Sequence, residues 1–202
     1  MADKKVEIVA QYVSDMHVLE SHILQALKRQ VSQAEDQPDI HRALQSYVDT
    51  TQQHITRLES RLKEMGNPVG IGDKAKQTVS NLFGIGAAAV DSVRTHPVSK
   101  DLRDDYTAGS LSVIGYVMLR TTALACDDMQ TAQLSEGLMG DTISMLQWIA
   151  RTIPAETVRE LEKERDITLK AGAAQTVIND PKLKILYGSE PSDSAASGHS
   201  AH

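Results

Sequence analysis

The stretch MHVLESH, Met16–His22, sets one carboxylate between two histidines inside an apolar pattern. Working outward from it, Val9, Val13, Met16, Glu20, Ile23 and Leu27 recur in alternating steps of four and three, one face of an α-helix. Glu20 therefore occupies a core position. A carboxylate there is costly unless it is paired, coordinated or protonated. His17 lies three residues earlier on a neighbouring face, and His22, two positions on, points away. The chain reads as a helix bundle, with Glu20 as either a metal ligand or a buried structural charge.

The same periodicity continues along the chain. A first helix is expected from about Lys5 to Gln33, and EDQPD breaks it, with Pro38 ending one helix and Asp39 helping to start the next. A second helix, about Ile40 to Met65, carries the seam Leu44, Val48, Thr51, Ile55, Leu58, Leu62 and Met65, and Gly66 and Pro68 close it. A crossover follows over 66–100. A third helix is expected from about Asp101 to Asp127. A fourth, about Met129 to Thr152, has Leu134, Leu138, Thr142, Met145 and Ile149 as its seam. Pro154 suits the first turn of a fifth, highly charged helix. KLKILYG, Lys182–Gly188, has strand character but nothing evident to pair with. Hairpin, long crossover, hairpin is the connectivity of ferritin-like bundles. The expected architecture is all-α: a ferritin-like four-helix bundle over 1–153, a C-terminal helical extension over 154–188, and a disordered polar tail over 189–202.

Composition excludes several functions. Among 202 residues, 27 acidic against 21 basic side chains give a net charge of −6, which argues against a nucleic-acid surface. At 3% aromatic content, stacking platforms for single strands are scarce. The start, MADKKVEIVAQ, lacks the apolar run and cleavage site of a signal peptide. One cysteine, Cys126, fits a reducing cytosol. Flanked by Asp127 and Asp128, it has no activating neighbour and is not read as a nucleophile. Thr107–Cys126 approaches the length of a spanning helix, but Arg120 sits well inside it among Ser, Thr and Gly, so it reads as a buried helix of a soluble bundle. Phe83–Val90, FGIGAAAV, is expected to pack on helices rather than on a membrane. Neither Gly70-Ile71-Gly72 nor Gly84-Ile85-Gly86 continues into a P-loop.

A di-iron bundle takes one Glu from each of two helices and Glu-x-x-His from each of the other two. Here the second helix has Thr51-x-x-His54, the third has no carboxylate or imidazole at its middle, and the fourth has Glu136 and Asp141 without a histidine. A complete two-metal site cannot be drawn. A residual mononuclear site of Glu20, His54 and Asp141 is the alternative, with iron or manganese as its metal. The leading expectation is a buried ion pair between Glu20 and Arg120, the latter being the only charge in its apolar run, with no cofactor. His17, His22 and His54 are then surface or boundary histidines.

YVSDMHVLESHILQAL resembles the first helix of the YciE/YciF group of ferritin-like bacterial stress proteins, through Asp15, Glu20, Leu24, Ala26 and Leu27. TTQQHITRLESRLKEMG is similar to that group's second helix through Thr51, Ile55, Arg57, Leu58, Glu59 and Gly66. IGYVMLR is similar to its third through Tyr116, Leu119 and Arg120. The resemblance covers roughly Tyr12–Ile153. It implies a ferritin-like fold, a role in bacterial stress response and a homodimer. The group's second helix is richer in Glu and His where this chain has Tyr47, Thr50 and Gln52. Its third carries Glu-His-x-x-Glu near Gly109, Ser110 and Ser112, and its fourth is Glu-rich where Gly137, Gly140 and Thr142 stand here. The resulting expectation is a non-enzymatic, cytoplasmic scaffold or interaction protein with an unidentified protein partner and few of the di-metal ligands. An iron- or manganese-binding oxidase that detoxifies peroxide is the alternative.

Overall fold

The computed structural model describes residues 2–66, 97–164 and 166–188. Four long helices, α1 (Ala2–Gln33), α2 (Pro38–Glu64), α3 (Val98–Ala125) and α4 (Met129–Leu161), make an all-α bundle. Two short ones, α5 (Ala173–Ile178) and α6 (Lys184–Tyr187), follow. The crossover beyond Gly66, with Phe83–Val90, and the expected tail over 189–202 lie outside the described residues. Among the described residues there is no strand, and KLKILYG forms a 3-10 turn and α6.

The seams form the core as their spacing requires. Val9, Val13, Met16, Glu20, Ile23 and Leu27 of α1 are buried, and so are Leu44, Val48, Thr51, Ile55, Leu58 and Leu62 of α2. On α3 the buried face is Leu102, Asp105, Gly109, Ser112, Tyr116, Leu119 and Ala123. Among the described residues α3 alone is long and apolar enough to cross a membrane, by length and composition only. Ile114, Val117, Met118 and Leu124 lie on its exposed side.

The directions of the helices follow from their contacts. His17 meets Glu59 across the antiparallel first hairpin. Arg61, near the end of α2, grips Asp128 at the start of α4. The backbone N–H of Ser99, at the start of α3, donates to Glu160 near the end of α4 at 2.8 Å. The end of α2 and the start of α3 thus sit at opposite ends of the bundle. A long connection is what this arrangement demands, and two antiparallel hairpins joined in this way have the connectivity found in ferritin-like bundles.

Two prolines act differently from the sequence expectation. α1 already ends at Gln33, and Pro38 opens α2 at the first helical position, where its missing N–H costs nothing. Pro154 does not start a fifth helix: it lies inside α4, which runs on to Leu161. Tertiary bonds hold that last stretch against the local penalty. Glu156 is buried, Arg159 donates to Gln37 at 2.7 Å, and Glu160 accepts from both the N–H and the hydroxyl of Ser99.

The α3–α4 turn is tight. Asp127 adopts a left-handed conformation (φ +63°) and pairs with Lys5. Asp128 caps α4 by accepting from the Thr131 N–H at 3.0 Å. Burial works to raise the Asp128 pKa, but Thr131 and the Arg61 guanidinium hold it below the usual carboxylate range. At the C-terminal side Tyr187 is buried, and Gly188 (φ +67°) lies so close to Gln147 that a Cβ would fall 2.5 Å from its amide carbon.

Candidate functional site

The centre of the bundle is polar and built on all four helices. Glu20 and His54 are buried, each side chain 3% exposed. Ser112 of α3 donates to Glu20 Oε1 at 2.5 Å, and the Tyr116 hydroxyl donates to the same oxygen at 3.0 Å. Glu20 Oε2 faces His54 Nδ1 at 3.5 Å, too poorly aligned for a hydrogen bond, so Nδ1 is buried without one. On the other edge of the ring, Nε2 stands 3.3 Å from Asp141 Oδ2, and Asp141 is half exposed. Burial and then the Glu20 charge push the Tyr116 phenol well above its ordinary pKa.

Beside this chain of groups is a cavity of about 340 Å³, open on one side. Glu20, His54, Ser112 and Asp141 line it, with Thr50, Thr51 and Gln53 of α2 and Thr142, Ser144 and Met145 of α4. Three rungs cross between α2 and α4 at seven-residue steps along α2. Tyr47 packs edge-to-face on Trp148 with ring centroids 5.5 Å apart, His54 meets Asp141, and Arg61 binds both oxygens of Asp128 at 2.9 Å.

Glu20, His54 and Asp141 are therefore brought together, but in series. The imidazole stands between the carboxylates, one on each nitrogen, so they do not converge on one point. Among the described residues no group of three or more His, Cys, Asp or Glu side chains is arranged to hold a metal ion. A two-metal centre does not fit this donor set: α3 offers its interior Gly109 and Ser112, and an added Cβ on Gly109 would fall 2.8 Å from Leu146 Cδ2.

The expected Glu20–Arg120 pair is not formed. Arg120 binds Glu136 at 3.0 Å, with both side chains partly exposed. The inward face of α3 runs through Ser112, Tyr116 and Leu119, and Arg120, one residue further, is turned by about 100° toward α4. Tyr116 and Ser112 do the work expected of Arg120, and their spacing on the inward face was the available signal. His54 is a core residue, not a boundary one, since it adjoins Ile55 on the buried face of α2. His17 is mostly buried against Glu59, while His22 is exposed. A second polar pair, the half-buried Gln30 and the buried Asp105, has no counterpart in the sequence expectations. The Gln30 amide donates to Asp105 Oδ1 at 3.0 Å.

No curated protein matches the chain. A solved structure of a protein from Xanthomonas campestris pv. campestris is similar with a TM-score of 0.60 at 20% identity, over 80% of this chain and 99% of that one. At that identity the likeness speaks for the fold alone. Residues 5–162 match the family described as "Domain of unknown function (DUF892)". That match runs from the first turns of α1 to the end of α4, most of the chain, and the protein belongs to this family.

Proposed function

We propose that this protein is a non-enzymatic interaction scaffold, a ferritin-like bundle whose centre holds hydroxyls, glycine and apolar packing in place of most di-metal ligands. The interior face of α3 carries the reading. Where a metal centre needs carboxylates and imidazoles, Gly109 admits Leu146, and Ser112 spends its proton on Glu20. Glu20 then acts as a structural acceptor that ties α1 to α3 through two hydroxyls and faces α2 through His54. The resemblance of Tyr12–Ile153 to the YciE/YciF group supports a stress-associated role for a homodimer in the bacterial cytosol, with a protein as its partner.

One observation favours a second reading, a residual iron or manganese site. Glu20 Oε2 and His54 Nδ1 face each other at 3.5 Å without a hydrogen bond, and Asp141 on the far nitrogen would orient the ring as carboxylates orient metal-bound histidines. Two facing protein atoms fall short of the three ligands that catalytic metal sites supply.

Elemental analysis of untagged protein, purified without chelator, separates the readings when run beside Glu20→Gln. The scaffold reading expects no stoichiometric iron or manganese in either protein. Stoichiometric metal in the wild type, lost in the variant, overturns it.

A further inference from the structure

The cavity between α2 and α4 has a wall that both gives and takes hydrogen bonds. On the α2 side, Tyr47, Thr50, Thr51 and Gln53 bring three hydroxyls and an amide that bond to no other described residue. Burial raises the Tyr47 phenol above its ordinary pKa, so it keeps a proton to donate. Thr51 is only 4% exposed, and a hydroxyl so deep is costly without a partner. The α4 side accepts. Asp141 is a half-exposed carboxylate, and Thr142 and Ser144 have given their protons to the Leu138 and Gly140 carbonyls at 2.9 and 3.0 Å. Glu20 adds a carboxylate from α1 that already takes the protons of Ser112 and Tyr116 on Oε1.

This inventory narrows the chemistry of an occupant. Among the described residues that line the cavity none is a lysine or arginine, so nothing there balances a phosphate or a free carboxylate. An ammonium group can only donate, and it leaves the donors of Tyr47 and Gln53 unmet. The one Phe, Tyr or Trp on the wall is Tyr47, so a flat base has no pair of rings to lie between. A hydroxyl gives and takes at once, as donors facing acceptors require. We propose that this cavity binds a small neutral polyol, up to one sugar ring in size, whose hydroxyls donate to Asp141 and accept from the α2 groups. Ile23 and Met145 offer apolar wall for its C–H face. About 340 Å³ is at the small end of ligand pockets, which suits a molecule of this size. The proposal goes beyond the scaffold reading and does not draw on its protein partner. The rival occupant is water alone, which also gives and takes but has no apolar face to bury.

Trp148 is the chain's single tryptophan and packs on Tyr47 with ring centroids 5.5 Å apart, so its fluorescence reports on what enters. The full chain is titrated with glycerol, D-glucose and myo-inositol. Cyclohexanol, cyclohexylamine and cyclohexanecarboxylate are the comparison probes, which keep inositol's ring but carry one hydroxyl, one cation or one anion. At least one polyol should give a saturable one-to-one response below about 10 mM, and the comparison rings none. Thr50→Val, which removes a hydroxyl at nearly constant volume, and Gln53→Ala, at an exposed position, should each weaken binding about two- to tenfold, the effect of one hydrogen bond. Thr50→Phe, which fills the cavity, should abolish it in a protein whose circular dichroism is unchanged. The proposal is overturned, and the scaffold reading left intact, by no saturable response to any of the three polyols or by an equal response to cyclohexanol or cyclohexylamine. Polyol binding undiminished in all three variants overturns it as well.

Discussion

Asp105 and Gln30 pose a problem of counting at single-atom scale. Asp105 Oδ2 and Gln30 Oε1 are both buried and both without a partner, although the two side chains already share one bond. A proton on Oδ2 would satisfy both, closing an acid–amide ring. Burial, reinforced by the charges of Asp101 and Asp104 on the same helix and opposed by the Gln30 bond, raises the Asp105 pKa from 3.8 to about 7. The sign follows from proton counts: between those values the folded chain holds a proton that the unfolded chain has released, so stability falls as pH rises. The slope is at most about 1.4 kcal/mol per pH unit, and the contribution is lost once pH passes the folded value. Thermal melts of Asp105→Asn between acid and neutral pH should lose this slope, because Asn keeps the donor to Gln30 Oε1 and cannot titrate. An unchanged slope would sink the account. A second contrast separates the true partners of Glu20 from the expected one. Tyr116→Phe removes a donor from a buried carboxylate and should cost about 1–3 kcal/mol in urea unfolding. Arg120→Ala breaks a partly exposed pair and should cost about 1 kcal/mol or less. The reverse order would restore Arg120 to the centre.

At the scale of elements, α3 starts without a cap of its own: its N-cap residue is Pro97, which has no side-chain bond to offer. Glu160, from the other end of the chain's helical part, supplies the missing acceptor and places a negative charge at the positive end of α3. Glu160→Ala should therefore lower stability by about 1 kcal/mol, as loss of a capping group does, and urea unfolding would measure it. Glu160→Gln, which keeps an acceptor oxygen, should recover part of the loss. This long-range cap also shows why Pro154 misled the sequence reading. A proline inside a helix pattern is local evidence for a boundary, whereas Arg159 and Glu160 hold α4 together through partners on the α1–α2 connection and on α3. The seams of α1, α2 and α4 were legible because burial imposes their spacing. On α3 nearly half of the inward face is polar or glycine, with Asp105, Gly109 and Ser112 among its members, so no apolar seam marked it.

For the whole molecule, the arrangement of four helices was readable from where patterns broke, and Glu20, His54 and Asp141 were identifiable as the chemically unusual members. Their order in space was not readable. Whether three groups converge or form a line depends on helix rotation, which periodicity fixes only to within a face. On the scaffold reading, seams, rungs and a cap hold the bundle without a metal. The melting temperature should be the same with and without EDTA, and a drop of several degrees would contradict the scaffold reading. The Ser99–Glu160 bond carries a further consequence, one of timing. The two residues are 61 apart in the chain. During synthesis at roughly 5–20 residues per second, the first turn of α3 waits about 3–12 s for its acceptor to be made. Through that interval the residues of the first hairpin have already been made, and the first turn of α3 lacks its acceptor. The backbone N–H groups that open α3 are thus satisfied only after nearly all of α4 has been made.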